Sequence, residues 1–139
     1  MRIEAHIRHR GGQHAVDVAT AGTSRAIAIP ARAGAPGSSV NGGELLCSAL
    51  ATCYCNDIFR EAAKRGIAVA SVEVDVTAEF GGVGEPARSI RYSAAVAARA
   101  SEADIRELML HTDRVAEIQN TLRLGLPVTF ESQRAESVA

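Results

Sequence analysis

The chain has 139 residues, 47% hydrophobic but only 4% aromatic, with 15 Lys+Arg against 16 Asp+Glu and a formal net charge of -1. That length suits one domain over 1–139 with a core of Ala, Val, Ile and Leu, and the scattered cations exclude a dedicated nucleic-acid surface. No apolar run reaches a membrane span, the N-terminus lacks the apolar run of a signal peptide, and three cysteines cannot close a disulfide framework, so a cytoplasmic protein with reduced thiols is expected.

Residues 2–30 read as a β-meander. Ile3, Ala5 and Ile7 alternate with charged or His positions, Gly11-Gly12 marks a turn, 15–18 is a short strand, Ala21-Gly22 marks a second turn, and 25–29 alternates again before Pro30. The Gly-, Ser-, Pro- and Ala-rich stretch 31–41 reads as a loop within the domain. A central helix is predicted over 43–65. Its apolar positions Leu45, Leu46, Ala49, Leu50, Cys53, Ile58, Phe59 and Ala62 make a face broad enough to predict burial on most sides. Lys64-Arg65 suits the negative end of its dipole, and Gly66 the cap beyond.

Val72, Val74, Val76 and Ala78 alternate with Glu73, Asp75, Thr77 and Glu79. After the turn Gly81-Gly82-Val83-Gly84-Glu85-Pro86, Ile90, Tyr92, Ala94, Val96 and Ala98 alternate in the same way. These are two long strands of an antiparallel hairpin. Ser101 with Asp104 can cap a helix from Glu102 to about Ile118. A helical turn over 120–124 closes at Gly125, a final strand is predicted over 126–130, and the polar tail from Glu131 should fray. The order is βββ-α-ββ-α-β, an α+β class.

All three cysteines, Cys47, Cys53 and Cys55, fall within nine residues of the central helix. At about 100° and 1.5 Å per residue, Cys53 and Cys55 point to nearly opposite sides, and Cys47 is about 9 Å from Cys53 along the axis. No pair can form a disulfide without unwinding the helix. A reactive thiol is a thiolate held by a helix N-terminus or a cation. Cys47 lies near the first turn. Cys53 is mid-helix and needs a cation from elsewhere, for which Arg8 and Arg10 are candidates. An ionised Asp57, one turn on, would oppose a Cys53 thiolate. On spacing alone, packing is the favoured reading for all three. His6 and His9 fall on opposite faces of a strand, and neither His14 nor His111 adds a ligand spacing, so no metal site is expected. Gly81-Gly82-Val83-Gly84 lacks the following helix of a nucleotide fingerprint, and no cofactor is expected.

Two segments carry a resemblance. Glu44-Leu45-Leu46 followed by Ala49-Leu50-Ala51-Thr52-Cys53-Tyr54, and Asp113-Arg114-Val115-Ala116-Glu117-Ile118-Gln119-Asn120-Thr121-Leu122 with Gly125-Leu126-Pro127-Val128, resemble the OsmC/Ohr family of thiol-dependent peroxidases. The resemblance implies an intertwined homodimer with a central buried helix and two sites at the subunit interface. It implies Cys53 as the thiol that attacks an organic hydroperoxide, and an N-terminal Arg, best assigned as Arg10, that holds the thiolate. Two positions depart from the pattern: Ala116 stands where the family has its second cysteine, and Gly43 where the Ohr branch has a Glu. The expected function is therefore peroxide reduction through Cys53 with an external resolving thiol. The alternative is a non-catalytic dimer that binds a small apolar ligand. Cys47 and Cys55 are expected to be packing residues.

Overall fold

A computed structural model describes residues 1–138. The elements in chain order are β1 (Ile3–Arg10), β2 (Gln13–Thr20), β3 (Thr23–Ile27), α1 (Gly42–Lys64), β4 (Ala68–Phe80), β5 (Ala87–Arg99), α2 (Glu102–Val115) and α3 (Glu117–Leu124). The chain divides into two compact units, Met1–Ser48 with Ala78–Ser89, and Ala49–Thr77 with Ile90–Ala139.

In the first unit β1, β2 and β3 form an antiparallel meander in register Ile3↔Thr20 to Arg10↔Gln13 and Val16↔Ile27 to Thr20↔Thr23. Two-residue turns join the strands, and both glycines of the first, at φ 58° and 76°, take the left-handed conformation that such a turn needs. The start of α1 is a capping box: Asn41 Oδ1 accepts the Glu44 N–H at 2.9 Å, while Glu44 Oε2 accepts the Asn41 N–H at 2.7 Å. A Cβ at Gly43 would lie 3.1 Å from the Phe80 ring and 3.2 Å from Asn41 Oδ1, so a Glu there would have to displace that packing.

In the second unit α1 presents Leu50, Tyr54, Asp57, Ile58, Glu61 and Ala62 as a buried stripe at spacings of three and four. Tyr54, Ile58 and Ala62 pack with Leu108 of α2, and Ile67, Val69, Val72, Val74, Tyr92, Ala94, Val96 and Met109 close around them. The six-residue loop between β4 and β5 is too short for a crossover, so their two-stranded sheet is a hairpin. Tyr54 donates to the Met109 carbonyl at 2.9 Å and meets Tyr92 edge-on at 5.1 Å between centroids, which satisfies the one polar atom this core takes in from α1's aromatic. Ser101 caps α2 by accepting the Asp104 N–H at 3.1 Å, as its sequence predicts.

Three expectations need correction. The predicted helix to Ile118 stops at Val115, because Ala116 turns extended (φ -69°, ψ 112°), and a separate α3 of eight residues begins at Glu117. Residues 126–130 are not a strand: Leu126, Val128 and Phe130 are 63%, 100% and 81% exposed. A strand exists only when its backbone finds a partner edge, and none pairs with this segment among the described residues. Finally, the burial of α1 in the single chain is a stripe rather than most of its circumference, with Leu45 and Phe59 40% and 48% exposed.

Candidate functional site

Cys53, Asp57 and Arg60 follow one another at i, i+4 and i+7, which puts them on one face of α1. The break at Ala116 then delivers the first turn of α3 to that face. The Cys53 thiol donates to Asp57 Oδ2 at 3.4 Å, Glu117 Oε2 lies 3.9 Å from the sulfur, and the Ile118 backbone N–H points to it. Gln119 fixes the approach by donating to the Leu50 carbonyl, one turn before Cys53, at 3.1 Å.

Arg60 ties the acids together. Its guanidinium lies 2.7 Å from Asp57 Oδ1, 3.1 Å from Glu117 Oε1 and 2.9 Å from Glu61 Oε1. Glu61 also lies 2.7 Å from Lys64 and 3.2 Å from His111 Nε2, and hydrogen bonds from Lys64 and then Arg60 hold its carboxyl down at about 2. Asp57 and Glu61 are both nearly inaccessible, so their charges persist only because cations answer them.

The electrostatics at the sulfur pull in two directions. Burial raises the Cys53 thiol above its ordinary value, the Ile118 N–H lowers it, and the Asp57 and Glu117 carboxylates raise it further. In the single chain the net direction is upward, which favours the thiol form. Burial likewise raises Asp57. Glu117 moves the other way, held down first by its own backbone N–H and then by Arg60 against the cost of burial. Its side chain is 63% exposed, while that of Asp57 is 6% exposed.

Cys53, Asp57 and Glu117 have donor atoms within 4.8 Å of one another, the types a metal site would use. Arg60 already bridges both carboxylates, so a cation of the chain itself answers their charge, and we assign no metal there.

The other singled-out residues lie elsewhere. Arg10 closes β1 opposite Gln13, in the first unit, whereas Cys53 is in the second. Arg8 pairs with Asp17 at 3.4 Å. Cys55 lines a groove of about 310 Å³ with Ala51, Thr52, Asn56, Val72 and Val74, on the side of α1 away from Cys53. All three cysteines are free and partly exposed.

Sequence reasoning passed over Arg60, Glu117 and Ile118. The i, i+4, i+7 spacing of Cys53, Asp57 and Arg60 was a usable signal for the first of these. Nothing local announced that a second helix would begin at Glu117 and aim its N-terminus at α1.

Among solved structures, the chain is similar to an OsmC-like protein from Mycoplasma pneumoniae (18% identity, 88% of this chain and 86% of that one, TM-score 0.61). It is also similar to a putative osmotic stress induced and detoxification response protein from Psychrobacter arcticus 273-4 (12%, 84% and 85%, TM-score 0.62) and to the organic hydroperoxide resistance protein OhrB of Bacillus subtilis (17%, 88% and 92%, TM-score 0.52). At these identities the likeness concerns the fold. No curated protein matches the chain. The family model for OsmC-like proteins matches residues 35–131, which takes in α1 with Cys53 and α3 with Glu117, and on that match the chain belongs to the OsmC-like family.

Proposed function

We propose that the protein is a thiol-dependent peroxidase in which Cys53 reduces an organic hydroperoxide and an external thiol resolves the sulfenic acid. The observation that carries this reading is the place of Cys53 at the start of α3. Ala116 offers no side-chain cap there, so an N–H of the first turn is left for the sulfur. A helix N-terminus favours negative charge, and the charge that develops on sulfur during attack is of that kind. The sulfur is also partly exposed, which a bimolecular reaction requires.

The substrate class in this reading is supported by the family and by the organic hydroperoxide resistance proteins among its structural neighbours. An external reductant follows from chemistry: sulfenic acid formation uses one thiol, recycling needs a second, and Cys47 and Cys55 sit on the same helix as Cys53 at unsuitable angles. A cytoplasmic setting would supply that thiol. The working unit in this reading is a homodimer, and Arg10 is the cation we assign to its interface site.

Consumption of cumene hydroperoxide in the presence of a dithiol tests the assignment. Cys53→Ser should abolish it, and Cys47→Ser and Cys55→Ser should retain it. Full activity in Cys53→Ser would remove Cys53 from the mechanism. No oxidation of any cysteine under excess hydroperoxide would leave the ligand-binding reading, for which the groove beside Cys55 is one candidate cavity.

A further inference from the structure

Three of the four ends of α2 and α3 are closed. Ser101 caps the start of α2 by accepting the Asp104 N–H. At the end of α3 the Gly125 N–H donates to the Thr121 and Leu122 carbonyls at 3.2 Å. At the end of α2, where a helix leaves its last carbonyls without partners, side chains of α3 answer two of them. Arg123 Nη1 donates to the Asp113 carbonyl at 3.0 Å, and Asn120 Nδ2 to the Arg114 carbonyl at 2.9 Å. The open end is the start of α3, where Ala116 makes no side-chain cap although a Ser, Thr, Asp or Asn there would stabilise the helix. That end is also the one that meets Cys53, with Glu117 Oε2 3.9 Å from the sulfur.

On the reading that Cys53 is the reactive thiol, we propose that Arg123, with Asp113 and Asn120, forms a clamp of positioning residues that holds the open start of α3 against Cys53. The clamp has a fixed anchor. Asp113 Oδ1 accepts from Arg123 Nη2 at 2.6 Å and from the Tyr92 hydroxyl of β5. Tyr92 packs on Tyr54, the residue after Cys53, and Tyr54 is tied to the Met109 carbonyl of α2. Arg123 Nη1 also donates to Asn120 Oδ1 at 3.0 Å, so the two capping side chains brace each other. An ion pair as exposed as Arg123 with Asp113, at 48% and 38%, adds little to stability. Its geometry matters more, because it sets the angle at Ala116 and so the place of the first turn of α3. From that turn Glu117 Oε1 accepts from Arg60 at 3.1 Å and Gln119 donates to the Leu50 carbonyl at 3.1 Å, on either side of Cys53 along α1. Every one of these partners belongs to one chain and one compact unit, so the clamp is compatible with an interface cation such as Arg10.

The first-turn N–H groups of a helix favour negative charge beside them. Held at the sulfur they favour the thiolate that attacks a hydroperoxide, and swung away they do not. The same turn carries the Glu117 carboxylate, which opposes the thiolate. Arg60 answers that charge, and the Ile118 N–H lowers the thiol more than Glu117 raises it. Releasing the clamp therefore costs thiolate on balance.

The test is the pH profile of alkylation by iodoacetamide, read by peptide mapping at Cys53 and at Cys55. It compares wild type, Arg123→Ala, Asn120→Ala and Arg123→Lys as assembled proteins. Asp57, Arg60 and the interface cation we assign to Arg10 are the same in all four. The Cys53 midpoint should rise by about half a pH unit in Arg123→Ala, which at pH 7 is about three-fold less thiolate. It should rise by less in Asn120→Ala. Arg123→Lys keeps a cation beside Asp113 but loses the forked donor, and should fall between wild type and Arg123→Ala. Cys55, on the other side of α1, should keep its midpoint. Single-turnover oxidation of Cys53 by cumene hydroperoxide at pH 7 should slow in Arg123→Ala by the same factor. A Cys53 midpoint that stays or falls in both alanine variants would overturn the clamp. An equal rise at Cys55 would overturn it too, since the change would then be a general loosening of α1. Wild-type Cys53 that resists the hydroperoxide, while its midpoint rises in Arg123→Ala, would remove the peroxidase reading and leave the clamp.

Discussion

Returning a thiol to position 116 tests whether the break between α2 and α3 is where a resolving cysteine would work. Ala116 is fully buried, and the residues just after it, Glu117 and Ile118, both touch the Cys53 sulfur. In reduced Ala116→Cys the extra sulfur enters a packed site, an overpacking cost of about 1–3 kcal/mol. Oxidation should then join Cys53 to the new thiol. For a loop closed from 53 to 116, the chain-entropy relation gives about 4 kcal/mol of stabilisation over the reduced variant, less any strain in the bridge. In a chain of this size that is on the order of 10 °C in Tm. One equivalent of cumene hydroperoxide, followed by mass spectrometry and a thermal melt, reads both quantities. The expected result is a loss of two hydrogens mapped to positions 53 and 116, a higher Tm than the reduced variant, and faster turnover with dithiothreitol than wild type. Wild type should show no bridge among Cys47, Cys53 and Cys55. Sulfenic acid accumulating at Cys53 in Ala116→Cys, with no bridge to position 116, would refute the reasoning. The break would then not present that position to the sulfur.

Acid stability should report Glu61. Its carboxyl is held at about 2 against an ordinary value near 4.5, first by Lys64 and then by Arg60. A group depressed in the folded state stabilises above its unfolded value and loses that contribution as pH falls through its folded one. The denaturation midpoint of wild type should therefore drop between about pH 4.5 and pH 2, and Glu61→Gln should show a shallower drop. Parallel curves would mean that Glu61 does not carry the acid limb. The homodimer predicts a doubled mass by light scattering at micromolar concentration, with the exposed Phe59, Val128 and Phe130 among the residues covered. A monomer under those conditions would remove the dimer from the proposal.

The local patterns needed little help from tertiary context. Alternation in 72–79 and 90–98 requires a half-buried hairpin, Ser101 with Asp104 is a helix start whatever surrounds it, and Gly66 and Gly125 stop the helices they follow. The motif around Cys53 carried the family, because a thiol preceded by small residues on an apolar helix is a short-range signature. What the sequence could not settle depended on partners distant in the chain. The segment 126–130 has strand composition but pairs with no edge among the described residues, and a strand is a property of two segments. Nothing in the α1 sequence marks Asp57 and Glu61 for burial, yet both are buried, with Arg60 on both and Lys64 and His111 on Glu61. Cys53 reads as a mid-helix thiol beyond the reach of any dipole. Only the fold, by breaking the last helical run at Ala116, brings the N-terminus of a second helix to its sulfur. Periodicity fixes which face of a helix a residue occupies, but the field at that face is set by whatever packs on it.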